Sequence, residues 1–254
     1  GIMERTSGFQ NEFDFVRLFN GKKLNELDPN SQALIESIFH IKDDTDTIKC
    51  WCNHLKQKSD ILIKYNNQIR GVSIKKGIKN SVHCEGISYF TNFLKEENIP
   101  RIIIQEYLLF HFADGSLNGY GKNRISADEF KKQHPKIISN INNHFNQKSF
   151  ITKCVERFVT KGNNSDYPIS ALIYGEPDNY IWINEKDIKK IILNTEKKDY
   201  LGVHIGPFLV QPRRRCLSKP VGEKYNDRFM VQIKWYSLFD DYMKYLYNKE
   251  NYNL

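Results

Sequence analysis

A chain of 254 residues with 40% hydrophobic content is long enough to bury a substantial core. Its formal charge of +8 suits a polyanionic partner, although lysine-rich surfaces also serve solubility alone. No apolar run approaches the ~20 residues of a membrane helix, the first residues lack the apolar centre of a secretory leader, and five scattered cysteines, an odd number, argue against a disulfide scaffold. The expectation is a cytoplasmic protein with no membrane partner.

In chain order, residues 8–20 read as an amphipathic helix with Phe9, Phe13, Val16 and Phe19 inward, ended by Gly21. Glu12 lies on its early part, where a carboxylate is also mildly favoured for its own sake. A second helix is predicted from Ser31 to Phe39 with Leu34, Ile35 and Ile38 inward. Asp43, Asp44 and Asp46 lack the glycine and terminal glutamate of a calcium loop, so they read as solvated. A short extended piece follows. Its Cys50, Cys52 and His54 lack the second half of a four-ligand zinc site and read as ordinary thiols and a lone imidazole.

Residues 56–97 organise the rest. Asp60 opens a strand to Tyr65, Asn66 and Asn67 are turn formers, and a second strand runs from Gln68 to Lys75 with β-branched Ile69, Val72 and Ile74. Alternation puts Ser73 and Lys75 on one face, opposite Val72 and Ile74. A helix is then predicted over 81–97, capped by Asn80 or Ser81. Glu85 would sit one turn in, near enough to swing toward Asp60 and Lys75. Two carboxylates and an ammonium at the end of a hairpin can bind a hard divalent cation and activate water. Gln232-Ile233-Lys234 is a competing x-x-Lys string without a suitably placed acid.

Beyond Pro100, 101–112 is apolar and fits a helix or a buried strand. The glycine- and asparagine-rich segment 113–124 reads as a loop on which Lys122 and Arg124 could approach a phosphate. Ser126 and Glu129 form a capping box for a helix interrupted at Pro135, and another helix covers 149–161. Residues 168–175 and 180–183 form a hairpin, followed by a helix from Asn184 to about Leu193. Strands at 203–211 and 228–237 flank a basic loop, and a helix closes the chain. Between Arg213 and Arg228 stand Arg213, Arg214, Arg215, Lys219, Lys224 and Arg228 against only Glu223 and Asp227. Guanidinium forks suit phosphate oxygens and guanine edges.

Asp60, twelve intervening residues and then Ser73-Ile74-Lys75 resembles the PD-(D/E)xK nuclease signature, with Ser59 in place of the proline and Ser73 in place of the second acid. One restriction-enzyme subgroup carries that serine and takes its acid from the following helix, a position Glu85 resembles. Glu12 resembles the glutamate that these nucleases often carry on the first helix. The resemblance implies an α/β (α+β) fold: a central mixed sheet flanked by helices plus a C-terminal β-hairpin region. It implies one domain over 1–254, with a catalytic core at about 1–112 and DNA recognition at about 113–254.

The implied activity is that of a Type II restriction endonuclease: Mg2+-dependent hydrolysis of double-stranded DNA to 5′-phosphate and 3′-hydroxyl ends. Asp60 and Glu85 would be metal ligands, and Lys75, Ser73 and Glu12 would complete the catalytic set. Lys76, Lys79 and His83 would meet the DNA backbone beside the site. Such enzymes commonly act as homodimers and some as monomers, so both stay open. The rival reading is a non-catalytic DNA-binding module, which Ser73 in place of an acid would suit. A third is an RNA- or structure-specific nuclease of the same fold.

Overall fold

The computed structural model describes residues 2–78, 81–163, 166–195, 202–214 and 222–254, leaving aside the side chains of 2–7 and 222–225. Helix α1 (Ile2–Phe19) leads into α2 (Pro29–Phe39), where Asp28 accepts from the Ser31 N–H and Pro29 opens the first turn. Strand β1 (Lys49–Cys52) precedes β2 (Ile61–Tyr65) and β3 (Gln68–Lys75). The β2–β3 turn places Asn66 at φ 49° and Asn67 at φ 59°, the paired left-handed conformation of a tight hairpin, which asparagine tolerates.

Strand β4 (Ser81–Gly86) and helix α3 (Ile87–Glu96) come next, then α4 (Arg101–Phe112), α5 (Ala127–Gln133), α6 (Ile137–Phe145) and α7 (Lys148–Val155). A π-helical turn (Glu156–Thr160) leads to β5 (Ile169–Glu176), β6 (Asn179–Asn184) and α8 (Glu185–Asn194). The chain ends with β7 (His204–Ile205), β8 (Phe208–Pro212), a 3-10 segment (Gly222–Phe229), β9 (Met230–Lys234), α9 (Leu238–Tyr247) and a short 3-10 turn (Lys249–Asn251).

The fold is mixed α/β, as expected, and its contacts gather into two compact units. The first comprises 1–78 and 156–190; the second comprises 79–155 and 191–254. The first holds a five-stranded mixed sheet in the order β1-β2-β3-β5-β6. Only β3 and β5 run parallel, and both are buried along their middles. Val72, Ala171 and Ile173 from this sheet pack with Phe15 and Phe19 of α1 and with Leu34, Ile35 and Ile38 of α2.

Two expectations are corrected here. Phe9 and Phe13 do not face the core: they are 64% and 49% exposed, and the buried stripe of α1 is Asn11, Phe15 and Phe19. A polar residue fits that stripe because the Asn11 amide donates to the Gly175 carbonyl at 2.9 Å. The second correction is that 81–86 forms a strand and not the first turns of a helix. Strand β4 pairs antiparallel with β9 in the second unit's sheet, ordered β4-β9-β8-β7. The helix starts only at Ile87, capped by Gly86.

Candidate active site

The β2–β3 hairpin positions the first group of candidate residues. Asp60 stands just before β2 with its N–H on the Val72 carbonyl (2.9 Å), so its side chain meets the second and third residues from the end of β3. The Oδ2 atom accepts the Ile74 N–H at 2.7 Å and the Ser73 hydroxyl at 3.4 Å. Nothing among the described residues donates to Oδ1. Burial raises the pKa of Asp60, opposed by Lys75, the Ile74 N–H, Ser73 and Lys58.

Ser59 does not merely replace a proline. Its buried hydroxyl donates to the Tyr167 carbonyl at 2.6 Å, fastening the hairpin to the segment that leads into β5. The contact needs a glycine opposite: a Cβ on Gly71 would lie 2.0 Å from Ser59 Oγ.

Helix α1 supplies a second carboxylate. Glu12 is spaced three and seven residues from Phe15 and Phe19, so it shares the side of the helix that packs on the sheet. Its carboxyl is pushed up to about 7, first by burial and then by the Asp60 carboxylate, while Lys75 pulls it down. No described group donates a hydrogen bond to it. Cys52 on β1 belongs to the same neighbourhood: burial raises its thiol pKa, followed by the charges of Glu12 and Asp60. Residue spacing does not place Cys52 beside Glu12 and Asp60, because only strand order carries β1 beside β2.

Glu12, Asp60, Ser73 and Lys75 thus meet within one unit. Among the described residues no group of three His, Cys, Asp or Glu side chains could hold a metal. Two carboxylates still form a hard-oxygen donor set, and Mg2+ is commonly held by one or two carboxylates together with water and substrate phosphate. The electrostatics agree: the Asp60 carboxylate raises the pKa of Glu12, a repulsion that a divalent cation held by both would relieve. The residues therefore fit that ion.

The other predicted residues are placed as follows. Glu85 is on β4 in the second unit, where its Oε2 lies 2.5 Å from His83 Nε2 and both side chains are almost fully buried. Lys76 Nζ is 2.7 Å from Glu176. Arg124 donates to the carbonyls of His111 (2.5 Å) and Phe112 (3.2 Å), so its guanidinium holds the end of α4. Arg228 donates to Asp114 Oδ2 at 3.1 Å and to the Gly119 carbonyl. Arg214 is paired with Asp227 at 3.0 Å, and Arg213 lies 3.9 Å from the same carboxylate. Lys122 is exposed. Lys79, Arg215 and Lys219 lie outside the described residues, as does the side chain of Lys224. The competing string lies on β9, with Gln232 donating to Ser81 Oγ and Lys234 over the Tyr236 ring.

No family model and no curated protein matches the sequence. Among solved structures, the crystal structure of restriction endonuclease MspI in complex with its cognate DNA is similar over 87% of this chain and 87% of that chain. The two share 15% of their residues in that alignment, with a TM-score of 0.47. Among the described residues no helix is long and apolar enough to cross a membrane.

Proposed function

We propose that the chain is a Mg2+-dependent endonuclease that hydrolyses double-stranded DNA at a short sequence, with Glu12, Asp60 and Lys75 as its catalytic residues. The observation that carries this reading is the convergence of Glu12, from the first helix, on Asp60 and Lys75 at the end of the β2–β3 hairpin. We choose Glu12 over Glu85 as the carboxylate beside Asp60, because Glu85 is engaged with buried His83 in the second unit.

Bound Mg2+ would supply a Lewis acid for the scissile phosphate and a water of lowered pKa. Glu12 and Asp60 would hold it, Asp60 through Oδ1 while the Ile74 N–H fixes Oδ2. Ser73 is a positioning residue, since its hydroxyl also reaches Asp60 Oδ2. The Lys75 ammonium orients the attacking water and meets the negative charge that builds on the phosphate oxygens in the transition state. The water oxygen bonds to phosphorus as the P–O3′ bond breaks, the water's proton passes to solvent and the leaving 3′ oxygen takes one from solvent water, giving a 5′-phosphate and a 3′-hydroxyl.

Incubating plasmid DNA with Mg2+ and mapping the ends tests this. Glu12→Gln, Asp60→Asn and Lys75→Ala should each lower the rate by about 10²–10³-fold, the scale of removing one transition-state contact. Glu85→Gln should leave most of it. Full activity in Glu12→Gln with loss in Glu85→Gln would reverse the choice of carboxylate. Ser73 in the acid's place favours one other reading, a DNA-binding module without catalysis. Tight DNA binding by a wild-type chain that never cleaves would establish that alternative.

A further inference from the structure

Lys75 is the last residue of β3, and β3 lies between β2 and β5 in its sheet. On the β2 side the strand meets Asp60, which accepts the Ile74 N–H. On the β5 side the register partner of Lys75 is Tyr174. Paired residues of parallel strands stand about 4.8 Å apart and turn their side chains to the same face. Ser73, Lys75, Leu172 and Tyr174 therefore share one face, opposite the face on which Val72, Ala171 and Ile173 enter the core. Strand pairing thus sets Tyr174 beside Lys75.

From there the phenol reaches forward along the chain, and its hydroxyl donates to the Gly77 carbonyl at 2.5 Å. Gly77 has φ +83°, the left-handed conformation that favours glycine, so the chain turns there before leaving the first unit at Ile78. A second contact, Lys76 Nζ to Glu176 at 2.7 Å, joins the same two strand ends. Both of its partners are exposed, and an ion pair of that kind contributes little. A lysine stem is also flexible, whereas a tyrosine ring turns about only two torsions. The phenol is therefore the firmer fastening.

Resting on the nuclease reading, we propose that Tyr174 is a positioning residue for Lys75, acting through its hydrogen bond to the Gly77 carbonyl. The backbone that carries the lysine is then held on both sides: Asp60 grips the Ile74 N–H before it, and Tyr174 grips the Gly77 carbonyl after it. An ammonium on a long stem meets the attacking water and the phosphate oxygens reproducibly only when its root is fixed, and small misplacements of a reacting group are costly in rate. Tyr174 itself touches neither water nor phosphate in this scheme.

The test measures kcat and KM for plasmid cleavage in Mg2+ and, on the free chain, the NMR signals of isotopically methylated lysines, with Lys75 assigned by its absence in Lys75→Arg. Tyr174→Phe removes only the hydroxyl. It should lower kcat about three- to tenfold, the worth of one hydrogen bond, leave KM within about twofold of wild type, and shift or broaden the Lys75 signal. Gly77→Ala strains the turn and displaces the acceptor without touching the phenol. It should cost a similar factor, and the two losses should not multiply in the double variant, since both break one link. If Tyr174→Phe does not melt as wild type does, Gly77→Ala carries the test. Either an unchanged kcat or an unchanged Lys75 signal overturns the proposal and leaves the nuclease reading intact. A raised KM at unchanged kcat also overturns it, because Tyr174 would then be a DNA contact. A wild type that cuts nothing overturns the nuclease reading, and this inference with it.

Discussion

Glu12 illustrates how one side chain sets a pH dependence. With its carboxyl pushed up to about 7 in the fold, the native chain keeps a proton that the unfolded chain has already released. Native stability therefore falls as pH rises from the usual carboxylate range through about 7. Glu12→Gln removes that titration, and its melting temperature should vary less than the wild type's between about pH 5 and 7. The same proton works against the proposed chemistry, since a carboxylate must be ionised to hold a cation. Cleavage rate and Mg2+ affinity should both climb as pH passes about 7, and calorimetric titration with Mg2+ at several pH values checks the second. A wild-type affinity independent of pH over this range would rule out Glu12 as a ligand.

At the scale of elements, the loop after α4 shows basic residues turned to structural use. Asp114 accepts from the Ser116 N–H (2.9 Å), the Ser116 hydroxyl (2.6 Å), the Gly121 N–H (3.0 Å) and Arg228 (3.1 Å). These contacts hold Asp114 well below the usual carboxylate range despite its burial. Behind it, buried His111 has its pKa lowered to about 4, chiefly by burial, with Nε2 2.8 Å from the Arg228 carbonyl. Arg228→Met should cost about 3–5 kcal/mol by leaving a buried carboxylate without its cation. Urea denaturation measures this. A variant of unchanged stability but weakened DNA affinity would mean that Arg228 is chiefly a DNA contact.

The same scale explains what could be read early. The β2–β3 hairpin, the body of α2, the break near Pro135 and the β5–β6 hairpin follow from periods and turn residues within a few positions of each other. Strand β4 does not. Its Val82 and Glu85 are also compatible with helical spacing, and the strand exists because β9, some 150 residues later, offers it a hydrogen-bonding edge.

For the molecule as a whole, the excess of +8 matters by where it is presented. Arg214, Arg228, Arg124 and Lys76 are engaged by the protein's own acids or carbonyls, whereas Arg213 and Lys122 keep substantial exposure. If these last two meet phosphates of the proposed DNA, each neutral variant should lower the slope of log affinity against log salt by about 1. Fluorescence anisotropy over a range of salt gives that slope. The Lys76→Ala slope should barely move, and a full unit of change there would show that its pairing with Glu176 gives way to DNA.

The sequence by itself determined the local pieces: the Asp60 to Lys75 hairpin, the alternation that sets Ser73 and Lys75 apart from Val72 and Ile74, and the basic character of 213–228. These depend on interactions between near neighbours, which composition and spacing encode. Tertiary structure alone decided which sheet each candidate carboxylate belongs to. Glu12 and Glu85 are equivalent as letters in a chain, but α1 packs on the five-stranded sheet while β4 pairs into the other one. Long-range packing, in which Phe15 and Phe19 bury against β-strands contributed by distant segments, carries Glu12 toward Lys75, while pairing with β9 makes 81–86 a strand on which Glu85 and His83 share a face.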